Sequence, residues 1–284
     1  MPIDLQIVGK ELEPLECNIE KRDVMLYARG VGAGEDREDL KYVYEGQLEA
    51  LPTFGVIPPF PSLTGFAGMD GVEINLAMLL HGQQYLEVKK HPTPVQGKLI
   101  SRPRVANVFD KGKGALVELE VNTEDEKGEV VFFNRFGAFV RGEGGFGGEK
   151  GLDPGYEPPE RGPDRVVEMK TLPQQALIYR LSGDYNPLHA DPEFAAMAGF
   201  DSPILHGLCS FGFAGRAVLK EFCGNDPTRF QAIQVRFSRH VFPGETLVTE
   251  MWEVDPSQII FRTKVAERDE YCITNAAAWI LPGS

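Results

Sequence analysis

Positive charge is scarce in this chain. Its 284 residues carry 29 Lys and Arg against 42 Asp and Glu, a formal net charge of −13 at pH 7. Such a chain is a poor nucleic-acid binder, because phosphate contacts need clustered Lys and Arg, and an anionic ligand would need a local basic patch. Cysteine is sparse as well. Cys17, Cys209, Cys223 and Cys272 form no C-x-x-C pair and have no metal-ligand spacing to a His. They read as small buried apolar residues in a reducing compartment. The five His are scattered without Cys or Glu at ligand spacing, which argues against a metal site. No apolar run approaches the ~18 residues of a membrane span. Met1-Pro2-Ile3-Asp4 offers no basic region followed by an apolar stretch, so no secretory signal is expected. Leu281-Pro282-Gly283-Ser284 matches no known carboxy-terminal address, so an intracellular setting, peroxisomal or cytoplasmic, stays open.

What is present is a globular composition, 42% apolar and 25% charged, over a length that suits two domains or one large one. One boundary stands out. Residues 141–163 (RGEGGFGGEKGLDPGYEPPERGP) are rich in Gly and Pro and read as a flexible linker followed by a stiffer one. Gly142, Gly144 and Gly147 spell G-x-G-x-x-G, but more Gly and Pro follow where a dinucleotide site needs a helix, so that reading is rejected. The residues on either side, 1–140 and 164–284, echo each other. Leu80-His81-Gly82 parallels Leu205-His206-Gly207. The run from His91 to Leu99 parallels that from His240 to Leu247. Two β-rich runs joined by a charged turn close each half, with Asn134 and Asn275 at matching places.

Each repeat reads as an antiparallel sheet wrapped around one long helix, an α+β unit. In the second half Thr171-Leu-Pro-Gln174 has a capping-box pattern for a helix that passes Tyr179 and Leu181 and stops at Gly183. A short helix follows Asp191-Pro192 and ends at Gly199. Gly207–Gly224 is apolar nearly all round, the mark of a buried helix. Strands are expected over 232–238, 246–254, 258–266 and 271–281. The first half is expected to use 74–88 as its helix.

The densest polar cluster is Tyr179-Arg-Leu-Ser-Gly183-Asp184-Tyr185-Asn186-Pro187-Leu188-His189-Ala-Asp191-Pro192. Asn186-Pro187 forces a turn, and around it Asp184 and His189 can converge. A carboxylate and an imidazole on one water form a proton-transfer device. The plainer alternative is that Asp184 and Asn186 cap backbone groups and His189 is a core residue.

The motif Tyr179-x-x-Ser182-Gly183-Asp184-x-Asn186-Pro187-Leu188-His189, with Gly199-Phe-Asp-Ser-Pro-Ile-Leu-His-Gly207-Leu208 after it, resembles the hydratase 2 motif of the MaoC-like dehydratases. Nearly the whole chain is similar to the 2-enoyl-CoA hydratase 2 unit of peroxisomal multifunctional enzyme type 2. The resemblance implies a double hot-dog fold with a degenerate first repeat and a catalytic second one. In the first repeat Tyr27-Ala-Arg-Gly30-Val-Gly32 stands where the motif would be, and a Pro/Gly-rich stretch (51–72) replaces the rest. In the family, that loss opens room for long or bulky acyl chains.

The activity implied is reversible hydration of trans-2-enoyl-CoA to (3R)-3-hydroxyacyl-CoA, a hydro-lyase reaction of fatty-acid β-oxidation that needs no cofactor beyond the CoA of the substrate. Asp184 and His189 would hold the attacking water, with His189 as base and Asp184 supplying the C2 proton. Asn186 would anchor the loop or contact the thioester, and the backbone N–H of Gly207 would stabilise the enolate oxygen. Matching family positions add His81, Gly82, Lys111, Tyr185, Pro187, Leu188 and Phe237 as substrate contacts. Helix packing alone is the competing account of Gly207, and an ordinary solvated turn that of Lys111. Two further functions fit the fold, an acyl-CoA thioesterase and a non-catalytic acyl-CoA binder. A homodimer is expected. Acyl-chain length is not readable, nor is whether the chain stands alone or is part of a larger multifunctional enzyme.

Overall fold

The computed structural model describes residues 3–75, 78–151 and 155–283. One continuous sheet organises them. The first half contributes β1 (Leu15–Ile19), β2 (Leu79–Val88), β3 (Gly97–Asp110), β4 (Gly114–Asp125) and β5 (Val130–Arg141). The second contributes β6 (Arg165–Lys170), β7 (Phe230–Phe237), β8 (Thr246–Asp255), β9 (Gln258–Val265) and β10 (Glu270–Ile280). All ten run antiparallel to their neighbours in the order β1-β3-β4-β5-β2-β7-β10-β9-β8-β6. Read outward from the central β2–β7 pair, both halves give the same succession of strands. The duplication seen in the sequence is therefore structural, and the fold is a double hot-dog of the α+β class.

Among the described residues six α-helices accompany the sheet: α1 (Lys21–Gly30), α2 (Leu40–Val43), α3 (Ser62–Gly65), α4 (Gln175–Tyr179), α5 (Pro192–Met197) and α6 (Gly207–Cys223). Only α6 is long. Leu208, Phe211, Phe213, Ala217 and Leu219 are all buried, on every side of it. Its glycines let other backbone segments come close. A Cβ at Gly212 would lie 2.3 Å from the Val31 side chain, and one at Gly215 would lie 2.5 Å from that of Thr53. Gly224 closes the helix in the left-handed region, at φ 60°.

The second half follows the sequence reading closely. Asp191 caps α5 by accepting from the N–H groups of Glu193 and Phe194, and Gly199 (φ 85°) ends that segment. The expected capping box at Thr171 is not formed. The Thr171 hydroxyl donates to the Glu245 carbonyl and accepts from the Gly244 N–H instead, and α4 begins only at Gln175. The hydroxyl finds stronger use in tying α4 to the turn before β8.

The first half departs more. Leu76 and Ala77 of the expected 74–88 helix lie outside the described residues, and Leu79–Val88 is strand β2. Gln84, Leu86 and Val88 are buried in alternation, and both edges of the strand are paired, to β5 and to β7. An apolar run that fills the centre of a sheet cannot also be a helix. Leu80-His81-Gly82 therefore does not correspond to the start of α6; β2 corresponds to β7. The second echo is sound: Gly97 (φ 121°) turns the chain at the first residue of β3, and Gly244 (φ 94°) turns it just before β8. In place of a long helix, the first half has a buried 3-10 turn, Pro52–Val56, with the Phe54 ring edge-on to Tyr27 at 5.6 Å. Asn134 fixes this turn by donating to the Gly55 carbonyl (2.9 Å) while accepting from Gln84 Nε2 (2.9 Å). These five residues are packed core, so the room expected for bulky chains is not found at them.

The Gly-rich part of residues 141–163 is not a free linker either. The N–H groups of Gly112, Gly145 and Gly147 converge on the Asp110 carboxylate at 2.7–2.8 Å. Tyr156 docks on the second half, its N–H donating to Asn275 Oδ1 and its ring 5.5 Å from Trp279. Leu152-Asp153-Pro154 of this stretch, with Met1, Pro2 and Ser284 at the ends, lie outside the described residues.

Candidate active site

The polar motif is bent as its residues dictate. A 3-10 turn, Arg180–Ser182, stops at Gly183, whose φ of 123° few other residues adopt. Asp184 Oδ1 then accepts from the Asn186 N–H (3.2 Å), and Asn186 Oδ1 accepts from the Leu188 N–H (3.0 Å). Pro187 opens a second 3-10 turn, Pro187–His189. Two successive side-chain-to-backbone bonds thus fold the loop tightly enough to bring His189 back beside Asp184.

His189 is buried, and its Nδ1 lies 2.8 Å from the Ile204 carbonyl. A carbonyl only accepts, so Nδ1 carries the hydrogen and the neutral ring keeps its lone pair on Nε2. Among the described residues, Nε2 has no hydrogen-bond partner, yet it is not sealed from solvent. His206 closes the group. Its ring stacks on that of His189, centroids 3.8 Å apart and planes 29° apart, and its Nε2 donates to the backbone carbonyl of Asp184 at 3.1 Å. A carboxylate oxygen of Asp184 and one ring nitrogen from each His lie within 4.8 Å of one another.

Burial sets the proton affinities. It raises the pKa of the Asp184 carboxyl, against a smaller opposing pull from His189. It lowers the pKa of His189, which the Asp184 charge partly offsets. His206 is pushed down to about 2, by burial first and then by His189. Around neutral pH the two imidazoles are therefore held toward their neutral forms, while the carboxyl is moved toward keeping its proton. A metal ion fits poorly here. One nitrogen of each imidazole is committed to a backbone carbonyl, and the free Nδ1 of His206 is buried. That leaves one imidazole and one carboxylate, short of the three protein ligands of a typical catalytic centre. Spacings of 5 and 17 residues in the sequence gave no sign of this trio.

The structure gathers most of the other expected residues. Gly207 is the first residue of α6, where N–H groups lack intrahelical acceptors. A Cβ there would touch the Phe237 ring at 3.3 Å. Phe237 in turn lies edge-on to His81, 5.1 Å away. His81 Nε2 is buried without a partner among the described residues, and burial pushes the ring's pKa down to about 4. Gly82 sits at a bulge in the β2–β5 ladder, where its bare Cα faces the Gly137 carbonyl and Phe139. Leu188 accepts from the Ile204 N–H, and Pro187 and Tyr185 face solvent. Tyr185 is 60% exposed, and its carbonyl and ring both meet the Arg180 guanidinium. Lys111 is not in contact with this group. It lies in the β3–β4 turn at the His81 end of the sheet, two strand spacings or roughly 10 Å from β2. One participant escapes the sequence reading, the Ile204 carbonyl that orients His189; His206 reads from the sequence as supporting the reacting groups rather than as catalytic. The only signal for His206 was its place next to Gly207.

Comparison with known proteins bears on this arrangement. Residues 17–142 match the family model described as the MFE-2 hydratase 2 N-terminal domain, and residues 156–276 match the MaoC like domain. The chain is 43% identical to a probable enoyl-CoA hydratase 2 of Dictyostelium discoideum, covering 99% of this chain and 98% of that one. It is 45% identical to mouse peroxisomal multifunctional enzyme type 2 over 98% of its own length, but spans only 38% of that larger protein. A MaoC-like dehydratase from Phytophthora capsici superposes with a TM-score of 0.90 at 38% identity, covering 99% of this chain and 98% of the other. A Mycobacterium tuberculosis protein with a double hotdog fold superposes at 0.60 with 12% identity over 96% of this chain and 95% of its own, a likeness of fold alone.

Proposed function

The chain belongs to the enoyl-CoA hydratase 2 family of MaoC-like proteins and is a hydro-lyase, and we propose that it adds water reversibly to trans-2-enoyl-CoA to give (3R)-3-hydroxyacyl-CoA. One observation carries this reading: a neutral imidazole with its Nε2 lone pair free beside a half-buried carboxyl of raised proton affinity. His189 Nε2 takes a proton from water as the hydroxyl bonds to C3. The C2=C3 electron pair moves toward the thioester carbonyl, giving an enolate. Asp184 delivers its proton to C2 on the same face, and His189 then returns the proton it took to Asp184, restoring both groups. The Gly207 N–H faces the enolate oxygen, where charge develops only in the transition state. Asn186 acts by shaping the loop, through its contacts with Asp184 and Leu188. Because the two groups share one water, their titration belongs to the pair.

The CoA part of the substrate is supported by the His81 end of the sheet. Lys111, Lys113, Arg141 and Lys150 gather around the β3–β4 turn and make no ion pair among the described residues, in a chain where most cations are paired. The mouse and Arabidopsis thaliana relatives are named as peroxisomal, which favours that compartment in a cell that has the organelle. A homodimer belongs to the same proposal, and sedimentation separates one copy from two.

Incubation with crotonyl-CoA and a longer enoyl-CoA tests the activity. Loss of enoyl absorbance without release of free thiol is the expected result. Thiol release would identify a thioesterase, and binding without turnover an acyl-CoA binder; either outcome would overturn the proposal.

A further inference from the structure

We infer that His206 is a positioning residue, clamping the Asp184 backbone and the His189 ring in one geometry at the start of α6; the inference rests on the hydration proposed above. Two contacts made by one side chain, and the place of its backbone, support it. The His206 ring lies face to face with His189 at 3.8 Å. Its Nε2 donates to the Asp184 carbonyl at 3.1 Å. Its own backbone leads directly into Gly207, so base, acid and enolate-facing N–H are all tied through one residue. Tyr179, the first residue of the motif, also packs against the ring, with centroids 4.9 Å apart and planes tilted by 50°.

The ring is not itself a base. It is 1% exposed, and its Nδ1 is buried with no partner among the described residues. That nitrogen is sealed from bulk solvent, and the other nitrogen must keep its hydrogen to bond a carbonyl. A group built so acts through its neighbours. Without it the loop can slide relative to α6, and small displacements of reacting groups cost about 10²-fold in rate.

The test combines His206→Ala, His206→Gln and His206→Phe with spectroscopy on the unaltered protein. The Ala variant is expected to lower kcat for crotonyl-CoA by about 10²-fold with KM within about threefold of the parent. Gln carries an N–H that reaches the same carbonyl, so it is expected to recover most of the lost kcat. Phe keeps the stack but has no donor, and is expected to remain at the Ala level. Histidine-selective 15N spectra of the unaltered protein at neutral pH are expected to show His206 as the neutral Nε2–H form and His189 as the neutral Nδ1–H form. Equal kcat in the Gln and Phe variants, a change in KM alone, or a charged or Nδ1–H His206 would overturn the clamp. Should the unaltered protein fail to hydrate crotonyl-CoA, the hydration reading falls, while the spectra still decide the clamp by themselves.

Discussion

His189→Ala and Asp184→Asn are each expected to lower kcat for crotonyl-CoA hydration by about 10³-fold, the middle of the range for a positioned acid or base. Affinity for the product is expected to change little, because neither group is assigned to holding the acyl or CoA portion. The reason lies in the division of labour. His189 has one nitrogen fixed on Ile204 and the other free, so removing it leaves water with no acceptor. Asp184 is displaced by burial toward its protonated form, and an amide in its place has no proton acidic enough for C2. The two act on one water, so the double variant is expected to lose hardly more than either single one. Stopped-assay kinetics with product binding by calorimetry check this. Multiplicative losses, or near-normal rates in either variant, would count against a shared water.

The second large effect concerns stability in acid. His81 and His206 are held near 4 and 2 by burial, below the ~6.5 of an unfolded chain. Below pH 6.5 the unfolded chain binds protons at these sites that the folded chain does not, so stability falls as pH falls. At pH 4.5, two units below the unfolded value, each His costs about 2.7 kcal/mol, or about 5 kcal/mol together. The lowered pKa values of His91, His189 and His240 act in the same direction. Asp184, whose pKa is raised, opposes the trend. Urea unfolding at pH 7 and pH 4.5 measures the difference. His206→Gln removes one titrating ring and is expected to shrink the difference by about 2.7 kcal/mol; an equal slope in that variant would show that other groups carry it.

How much of this was legible without coordinates differs between the halves. In the second half the boundaries are written in residues with strong local preferences: Asp191-Pro192 and Gly199 around α5, Gly207 and Gly224 around α6, Gly183 and Asn186-Pro187 around the bent loop. In the first half 79–88 carries apolar residues that suit a helix or a buried strand, and only pairing with β5 and β7 decides between them. The chance echo of His81-Gly82 with His206-Gly207 pointed the wrong way. The Gly-rich stretch of 142–147 misled for a similar reason, since nothing local shows that its N–H groups will meet the Asp110 carboxylate. At the site, Asp184 and His189 were legible because one turn joins them. His206 and the Ile204 carbonyl arrive from a separate segment, positioned by the pairing of Leu205 with Val241, and no sequence spacing encodes that approach.

Hydration of crotonyl-CoA in heavy water, with the configuration of both new stereocentres determined, probes the shared-water chemistry most directly. A carboxyl and an imidazole on one side of the substrate predict a (3R) alcohol with the C2 deuterium added to the same face as the hydroxyl. A (3S) product, or deuterium delivered from the opposite face, would contradict it.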